Sequence, residues 1–184
     1  IALFCNVPSS HVLQNLDVEY LYEAPLAMEE EHLAQVACEC LNLPCPEPDL
    51  TDWKAMCTAL KHPHGDVSVA LVGKYTQLHD AYISVVEALK HGGIANGVSV
   101  NIKWVDSEKV TSDNAAEFFN DVSGIIVPGG FGDRGIEGMI QAIRYARENS
   151  IPFLGLCLGM QLTIVEFTRD VIGYNDAHSV EFLP

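Results

Sequence analysis

Strand-like and helix-like segments alternate regularly from Asp66 onward, and this alternation constrains the fold more than any other feature of the sequence. Short β-branched runs such as DVSVALVG have the character of buried parallel strands, and apolar residues recur at helical spacing between them. The pattern predicts strands at 66–73, 98–105, 124–130 and 152–156, and helices at 79–91, 112–121, 134–149 and 158–170. Gly92 and Gly93 are expected to end the first helix and Ser112 to cap the second. We expect an open, mainly parallel α/β sheet with flanking helices, whose site lies beyond the carboxyl ends of the strands.

The residues before Asp66 follow another pattern, and we divide the chain into domains at 1–65 and 66–184. Glu29, Glu30 and Glu31 are expected in the first turn of a helix, where the dipole favours negative charge. Because Ile1 stands inside an apolar run, the chain is expected to begin within a domain. The elements predicted here are a strand at 1–7, a helix at 28–43 and, within 44–56, a proline-rich connector followed by a helix.

The charge balance excludes some classes of partner. The chain has a formal net charge of -15 and a pI near 4.6, so no basic field is present to attract nucleic acid or an anionic membrane. A nucleotide pocket is not excluded, since it needs only a few local donors. The sequence shows no charged and then apolar leader, and no apolar run approaches the ~18–20 residues of a membrane span. We expect a cytoplasmic protein without nucleic-acid or membrane partners.

The six cysteines do not follow the spacing of a zinc site, because no paired C-x-x-C occurs. Cys38, Cys40 and Cys45 could be combined with His62 and His64 as ligands, but this grouping does not match the tetrahedral patterns. We therefore expect no metal site. Nothing in the sequence indicates secretion, so we also expect reduced thiols.

One cysteine, Cys157, stands in the frame Gly155-Leu156-Cys157-Leu158-Gly159, where a predicted strand gives way to a predicted helix. Two interpretations are open: a buried structural thiol, or a nucleophile on a tight turn, as in the G-x-S-x-G elbow with sulfur in place of oxygen. The turn of an elbow is crowded and needs the flanking glycines, and the helix N-terminus favours a thiolate. The placement between strand and helix favours the nucleophile.

A second glycine-rich segment, PGGFGDRG at 128–135, also follows a predicted strand. By itself it fits a tight turn that needs positive φ equally well as a loop that points N–H groups at an anion. Because the carboxyl ends of parallel strands lie on one edge of a sheet, this loop and Cys157 are expected on the same edge. Together they predict an oxyanion hole beside a thiol nucleophile.

VPGGFG followed by GLCLGMQ resembles the class I (triad) glutamine amidotransferases. The longer segments VGKYTQLHDAYISVVEALKHGG and PGGFGDRGIEGMIQAIRYAREN, with IALFCNVP and CPEPDLTDW nearer the N-terminus, are similar to the CTP synthase family. The resemblance covers essentially the whole chain. It implies a flavodoxin-like amidotransferase fold, incomplete at 66–184, preceded at 1–65 by the end of an α/β synthetase domain and a linker.

Resemblance to the CTP synthase family implies a ligase that aminates UTP to CTP with ATP, using ammonia from glutamine and GTP as activator. It implies a homotetramer, with glutamine, UTP, ATP and GTP as partners of the intact enzyme. Mg²⁺ would accompany ATP at a site outside this chain, so no cofactor is expected on the 184 residues themselves.

The resemblance also assigns roles to residues. Cys157 would attack the glutamine carboxamide and form a glutamyl thioester, while the amides of Gly130 and Leu158 would stabilise the oxyanion. The residues that would hold glutamine are Gly130, Phe131, Leu158, Gln161 and Glu181.

Further assignments concern the nucleotides. Arg134 and Glu137 match a segment associated with the GTP effect, with an ion pair at a helix start as the alternative interpretation. Asp17 and Val18 match a loop near the ATP base. Lys74 is interpreted either as a solvated charge at a strand end or as part of a domain interface.

The chain departs from the family pattern at the residues that complete the site. His178-Ser179-Val180-Glu181-Phe182 keeps the glutamate of the family's N-S-T-E-F but replaces Asn and Thr. None of the seven histidines begins the H-x-E motif that supplies the base and its orienting carboxylate. No G-x-x-x-x-G-K-[ST] phosphate loop occurs either. We therefore expect this chain, as a fragment of the enzyme, to be inactive alone.

Two alternatives stay open on the sequence. One is a catalytically inactive remnant that serves as an oligomerisation or structural module. The other is a different cysteine-elbow protein, such as a chaperone-like or peptidase relative, which Gln161 and the N-terminal linker disfavour.

Overall fold

A computed structural model describes residues 1–181, and the chain divides into two compact units. The first unit is Ile1–His62, and the second begins at Pro63. The division falls where the sequence pattern changes, and the assignment of residues 1–65 to a synthetase domain and linker stays a prediction. Within residues 1–181, no helix combines the length and apolar character needed to cross a membrane.

The first unit consists of short helices. They are α1 (Ala2–Cys5), α2 (Ala24–Glu30), α3 (Leu33–Leu41) and α4 (Thr51–Lys61). Helix α4 is tied to the chain before α2 through the carbonyl of Tyr22, which accepts hydrogen bonds from Trp53 Nε1 at 2.7 Å and Cys57 Sγ at 3.2 Å. An ion pair between Lys61 and Glu23 joins the same two segments.

The strand predicted at 1–7 is wrong, because these residues form the helical turn α1. A strand needs a neighbour to bond its amides and carbonyls, and the described sheet contains no strand from this segment. The amide of Cys5 finds its acceptor locally instead, at the Ile1 carbonyl 2.9 Å away.

The helix predicted at 28–43 is in fact two helices, α2 and α3, separated by His32 at φ 60°. Glu29 and Glu30 lie in the last turn of α2 rather than in a first turn, and Glu31 follows it. Negative charge at a helix C-terminus is unfavourable, so the dipole does not explain why α2 ends here; the observed break is His32 at positive φ.

The second unit is built on one parallel sheet, which confirms the predicted fold class. Val69 lies opposite Gly124, and Val127 lies opposite Gly155, in strand pairs that are all parallel. Parallel strands covered on both faces favour continuous apolar runs, as the sequence shows. The strands are β1 (Gly65–Gly73), β2 (Val98–Asp106), β3 (Gly124–Val127) and β4 (Phe153–Gly155), in the order β2-β1-β3-β4.

Helices cover both faces of this sheet. They are α5 (Ile83–Asn96), α6 (Ala115–Phe119), α7 (Ile136–Glu148) and α8 (Leu158–Phe167). Since successive strand residues point to opposite faces, Ile125 packs with the apolar residues of α7 and α8, whereas Ile126 packs with Leu71 and Tyr82 on the α5 side. The larger core lies between the sheet, α7 and α8.

Helix α5 continues through Gly92 and Gly93, which were expected to end it, and Gly97 at φ 67° ends it instead. A Cβ at Gly93 would lie 2.6 Å from the carbonyl oxygen of Val98. The glycine is therefore needed for the close approach of the helix to β2, a contact that no local pattern reveals.

Ser112 does not cap α6, contrary to the prediction. The residue before the helix is Asn114, whose Oδ1 accepts a hydrogen bond from the Thr111 amide at 2.8 Å. Ser112 bonds to the Asp113 carboxylate instead, at 3.1 Å.

One carboxylate is buried between α7 and α8. Glu166 is only 1 % exposed, and it accepts hydrogen bonds from Arg147 Nε at 2.9 Å and Nη2 at 2.7 Å. A buried charge is tolerated only when it is paired in this way. The pair fixes α8, and so the segment that follows Cys157, against α7.

Candidate active site

The carboxyl ends of β3 and β4 lie side by side, because the two strands pair in parallel register up to Val127 and Gly155. The Leu156 amide donates to the Val127 carbonyl at 2.9 Å and extends this pairing by one residue. The chain leaves β3 into the loop 128–135 and leaves β4 into the turn that contains Cys157. The two glycine-rich segments therefore meet at one edge of the sheet, as predicted.

Cys157 adopts a strained backbone conformation, with φ 51° and ψ −102°. Positive φ is uncommon for residues other than glycine, and such strain costs about 1–3 kcal/mol. Cys157 immediately precedes α8, and its side chain is exposed. The strained strand-to-helix turn is thus confirmed, and the interpretation of Cys157 as a buried thiol is wrong.

Close backbone contacts require the two glycines that flank Cys157. A Cβ at Gly155 would lie 2.5 Å from the carbonyl carbon of Gly159 and 2.8 Å from Met160 N. A Cβ at Gly159 would overlap the carbonyl oxygen of Val127. The first turn of α8 therefore packs directly on the ends of β3 and β4, and a larger residue at either position would displace the helix together with Cys157.

The loop after β3 passes next to Cys157. A Cβ at Gly129 would lie 3.6 Å from the Cβ of Cys157, and a Cβ at Gly130 would lie 3.1 Å from Cδ2 of Leu158. Leu158 is the first residue of α8, where an N–H group has no acceptor within the helix. Cys157, Gly130 and Leu158 are therefore neighbours, as an oxyanion hole requires. The roles of the two amides stay a prediction.

Gln161 lies one turn along α8, and its amide donates to the Cys157 carbonyl at 3.1 Å. Its side-chain Oε1 is buried and has no hydrogen-bond partner within residues 1–181. A buried acceptor without a donor costs about 1–3 kcal/mol, so this oxygen is suited to bind an N–H group of a ligand. Phe131 stands in the loop with 78 % of its surface exposed.

Glu181 is not brought to Cys157 by any described contact. Glu181 is exposed in a turn at the end of the described residues, and its amide donates to Ser179 Oγ at 3.3 Å. Asp17 and Val18 lie outside the helices of the first unit. Their assigned roles stay predictions.

Arg134 and Glu137 do not pair with each other. Arg134 Nη1 lies 3.1 Å from Glu108 Oε2, and Glu137 Oε2 lies 3.1 Å from Arg169 Nη1. The alternative of a mutual ion pair at the helix start is therefore wrong, because each side chain reaches a different element. A role in a GTP effect stays a prediction for both.

Lys74 follows β1, and its place in the site was missed by sequence reasoning. It is not a solvated charge: the residue is 5 % exposed, and its Nζ donates to the carbonyls of Phe131 at 2.8 Å and Gly132 at 2.5 Å. The sequence feature that could have indicated its place is a lysine directly after a buried strand, since that strand end lies at the same sheet edge as the glycine-rich loop. Its alternative interpretation as a domain-interface residue is not tested.

Ser107, just after β2, was also missed. It is fully buried, a Cβ at Gly135 would overlap its hydroxyl, and a Cβ at Gly138 would overlap its carbonyl oxygen. Packing thus accounts for the glycines at the start of α7.

Within residues 1–181, no three His, Cys, Asp or Glu side chains are arranged to hold a metal ion.

Comparisons with known proteins agree with this geometry. The sequence profile of Glutamine amidotransferase class-I matches residues 77–181. The chain is 57 % identical over 182 residues to a CTP synthase of Ruminiclostridium cellulolyticum, covering 99 % of this chain and 34 % of that protein. It is 55 % identical over 184 residues to a CTP synthase of Clostridium acetobutylicum, covering 100 % of this chain and 34 % of that protein. The chain thus spans about a third of the length of these curated relatives.

A solved structure is similar as well. It is described as Trypanosoma brucei CTPS, glutaminase domain with bound acivicin, and it shares 44 % sequence identity with this chain at a TM-score of 0.60. The match covers 64 % of this chain and 46 % of that one.

Proposed function

This chain belongs to the class I glutamine amidotransferase family, and on that premise we propose that it carries the glutamine-hydrolysing site of a CTP synthase. The observation that carries the proposal is the exposed Cys157, held at φ 51° before α8 and next to Gly130 and Leu158. Identity above one half to two CTP synthases supports the assignment to this enzyme. The predicted flavodoxin-like amidotransferase fold is confirmed.

In the proposed reaction, the Cys157 thiolate attacks the carboxamide carbon of glutamine, and the carbonyl oxygen becomes an oxyanion. The amides of Gly130 and Leu158 bind this charge more strongly than the neutral carbonyl, which lowers the barrier. Each such donor is typically worth ~10²–10³ in rate. The amide nitrogen takes a proton and leaves as ammonia, and water then hydrolyses the glutamyl thioester to glutamate and free thiol.

Glutamine itself would be held by side chains around the thiol. The unpaired Oε1 of Gln161 would accept a hydrogen bond from an N–H group of the substrate. Phe131 has an exposed ring that can cover the bound side chain. The carboxylate of Glu181 is complementary to the α-ammonium group of an amino acid.

A proton acceptor for the thiol is assigned to no residue of this chain, because none of its histidines begins an H-x-E motif. A positioned acid or base typically contributes ~10²–10⁴ in rate. We therefore propose that the 184 residues bind and attack glutamine but turn it over negligibly by themselves.

The further steps of the enzyme are proposals that rest on similarity to CTP synthases. Ammonia would aminate UTP in an ATP-dependent reaction of a homotetramer activated by GTP, with Arg134 and Glu137 as candidates for the GTP effect. Asp17 and Val18 are candidates for contact with the ATP base. We assign no residue of this chain to Mg²⁺ or to the ATP phosphates: no three His, Cys, Asp or Glu side chains within residues 1–181 are arranged to hold a metal ion, and the phosphate-loop motif does not occur in the sequence.

The proposal is tested with 6-diazo-5-oxo-L-norleucine, a glutamine analogue that carries a diazomethyl ketone in place of the carboxamide. The thiolate sulfur bonds to the diazo-bearing carbon, which takes a proton from solvent, and dinitrogen leaves. Peptide mapping gives the rate constant for each of the six thiols, and iodoacetamide serves as a reagent without the glutamine shape. We define the glutamine selectivity of a thiol as its rate constant with the analogue divided by that with iodoacetamide.

We expect the glutamine selectivity of Cys157 to exceed that of every other cysteine by on the order of tenfold or more. The reason is that binding of the glutamine-like part of the analogue lowers the reaction barrier at this thiol and at no other. Cys45 is the matched control, since it is also exposed but lies in the first unit. Cys157→Ser should abolish selective labelling and leave Cys45 unchanged. Equal selectivity for Cys45 and Cys157 would refute a glutamine site on this chain and favour the inactive structural remnant.

A further inference from the structure

The loop that carries Gly130 has little of its own to hold it in place. Residues 128–135 include four glycines, at 129, 130, 132 and 135. Glycine loses more conformational freedom on folding than any other residue. Pro128 is buried where the loop leaves β3, but Phe131, three residues further on, is exposed rather than packed. The direction of the Gly130 amide must therefore be fixed by contacts from outside the loop.

Lys74 supplies these contacts. Its ammonium group donates to two consecutive loop carbonyls, those of Phe131 and Gly132, at 2.8 and 2.5 Å. Its aliphatic stem runs beneath Gly130, where a Cβ would lie 3.6 Å from Cε and 3.8 Å from Cδ of Lys74. One side chain from β1 thus supports both Gly130 and the two residues after it.

The backbone of Lys74 is itself anchored to the α5 side of the sheet, because its amide donates to the buried hydroxyl of Tyr82 at 3.1 Å. Its carbonyl accepts from Nη2 of Arg134, a residue of the loop itself, at 3.1 Å, which adds a second link between Lys74 and the loop. A Cβ at Gly73 would lie 2.5 Å from the same Tyr82 oxygen, so the end of β1 fits closely against this ring. The residue that supports the loop is therefore held in place by the sheet.

The ammonium group is held without a carboxylate partner, since none of the ion pairs within residues 1–181 includes Lys74. Burial lowers the pKa of Lys74 below its ordinary value, and the Arg134 guanidinium adds to this, whereas Asp133 and Glu108 act in the opposite direction. Burying a charge is unfavourable unless it is hydrogen-bonded. The two loop carbonyls compensate this charge, so the loop and Lys74 stabilise each other.

We propose that Lys74 is a positioning residue for the oxyanion site, whose ammonium holds the Phe131–Gly132 segment so that the Gly130 amide faces the tetrahedral intermediate. Its positive charge also lies beside the loop at which negative charge develops, in a site where electrostatic interactions are stronger than in water. This inference rests on the proposed glutamine site and adds a residue to it.

The test compares Lys74→Met with Lys103→Met on the purified chain. Lys103 is the matched control because it lies on the neighbouring strand β2 and pairs at the surface with Asp121. We expect Lys74→Met to lower the glutamine selectivity of Cys157 by about 10- to 100-fold, because the displaced loop no longer aligns the ketone of the analogue with the thiol. We expect Lys103→Met to leave it unchanged.

Two readouts separate positioning from a general loss of structure. The maximal rate of reaction with the analogue should fall while its half-saturating concentration changes by less than roughly threefold, because the loop aligns the reacting carbon with the thiol whereas other residues supply most of the binding. Deuterium exchange of the amides in 128–135 should become faster in Lys74→Met but not in Lys103→Met. If Lys74→Met does not fold, Lys74→Gln is measured instead, since it keeps a neutral donor, and the same losses are expected at a smaller size.

The outcomes distinguish this inference from the proposed function. Equal selectivity of Cys157 and Cys45 in the unmodified chain would refute the glutamine site itself. A selective Cys157 whose selectivity is unchanged in the Lys74 variant that folds would refute only the role of Lys74.

Discussion

Gly155→Ala is expected to destabilise the second unit and to displace Cys157. The added methyl carbon would lie 2.5 Å from the carbonyl carbon of Gly159 and 2.6 Å from its oxygen. Non-bonded atoms prefer about 3.5–4.0 Å, so the first turn of α8 has to retreat by about 1 Å. Overpacking of this kind costs about 1–3 kcal/mol. Because backbone rather than a flexible side chain is in the way, we expect about 2–3 kcal/mol, from the upper half of that range.

The assay measures both stability and the position of the thiol. The two tryptophans are Trp53 in the first unit and Trp104 on β2, so in a Trp53→Phe background the fluorescence in urea reports on the second unit alone. For a chain of this size, 1 kcal/mol corresponds to about 2–4 °C, so the melting temperature of Gly155→Ala should fall by about 4–12 °C. A displacement of about 1 Å should lower the glutamine selectivity of Cys157 by on the order of 10²-fold.

Gly92→Ala is the matched control for Gly155→Ala. A Cβ at Gly92 meets no atom within 4 Å, and the residue lies inside α5 at negative φ. The same substitution should there raise the unfolding free energy by about 0.4–1 kcal/mol, by reducing the freedom of the unfolded chain. If Gly155→Ala is as stable as Gly92→Ala and keeps the selectivity of Cys157, the close contact between β4 and α8 does not exist and the reasoning fails.

Three further outcomes follow from the same structure. Glu166→Gln should lower the unfolding free energy, measured in urea, by about 1–3 kcal/mol, because Arg147 loses a buried charged acceptor. The control variant Glu148→Gln, at the exposed end of α7, should stay within about 0.5 kcal/mol of the unmodified chain. Equal effects of the two substitutions would contradict the buried pair. Since burial lowers the pKa of Lys74 below 10.5, the unfolded chain binds more protons than the folded chain in the alkaline range just below that value. The unfolding free energy should therefore rise with pH there relative to Lys74→Met, and a flat difference between pH 8 and 10.5 in urea titrations would argue against the buried ammonium. Finally, an ammonia assay of the purified chain should give a glutaminase rate ~10²–10⁴ below that of an intact enzyme, with no CTP formed, and a rate at the intact level would contradict the need for an H-x-E base.

The sequence by itself determined the architecture of the second unit and the place of Cys157 at a strand-to-helix turn. Strand and helix periodicity is a local property, so the sheet elements could be predicted to within a few residues. The elbow is local as well, because the contacts that demand Gly155 and Gly159 fall within a few residues of Cys157 along the chain or on the paired strand. Parallel pairing of β3 and β4 then placed the glycine-rich loop beside the thiol.

The first unit shows where local patterns mislead. Residues 1–7 carry a strand-like composition, but a strand exists only when another strand satisfies its backbone groups, and none is paired with this segment in the described sheet. The helix at 28–43 has helical spacing throughout and still breaks at His32. Whether a β-branched or amphipathic run becomes an element thus depends on partners that its own sequence does not contain.

Only the tertiary structure decided the surroundings of Lys74. In the sequence it is a lysine after a strand, and its partners in the loop lie 57 and 58 residues further along the chain. The order β2-β1-β3-β4 brings the end of β1 next to the end of β3, and this neighbourhood buries the ammonium beneath the loop. Burial and hydrogen bonding of a charged group depend on which distant backbone groups surround it, and those groups are brought together by the folding of the sheet rather than by any local pattern of residues.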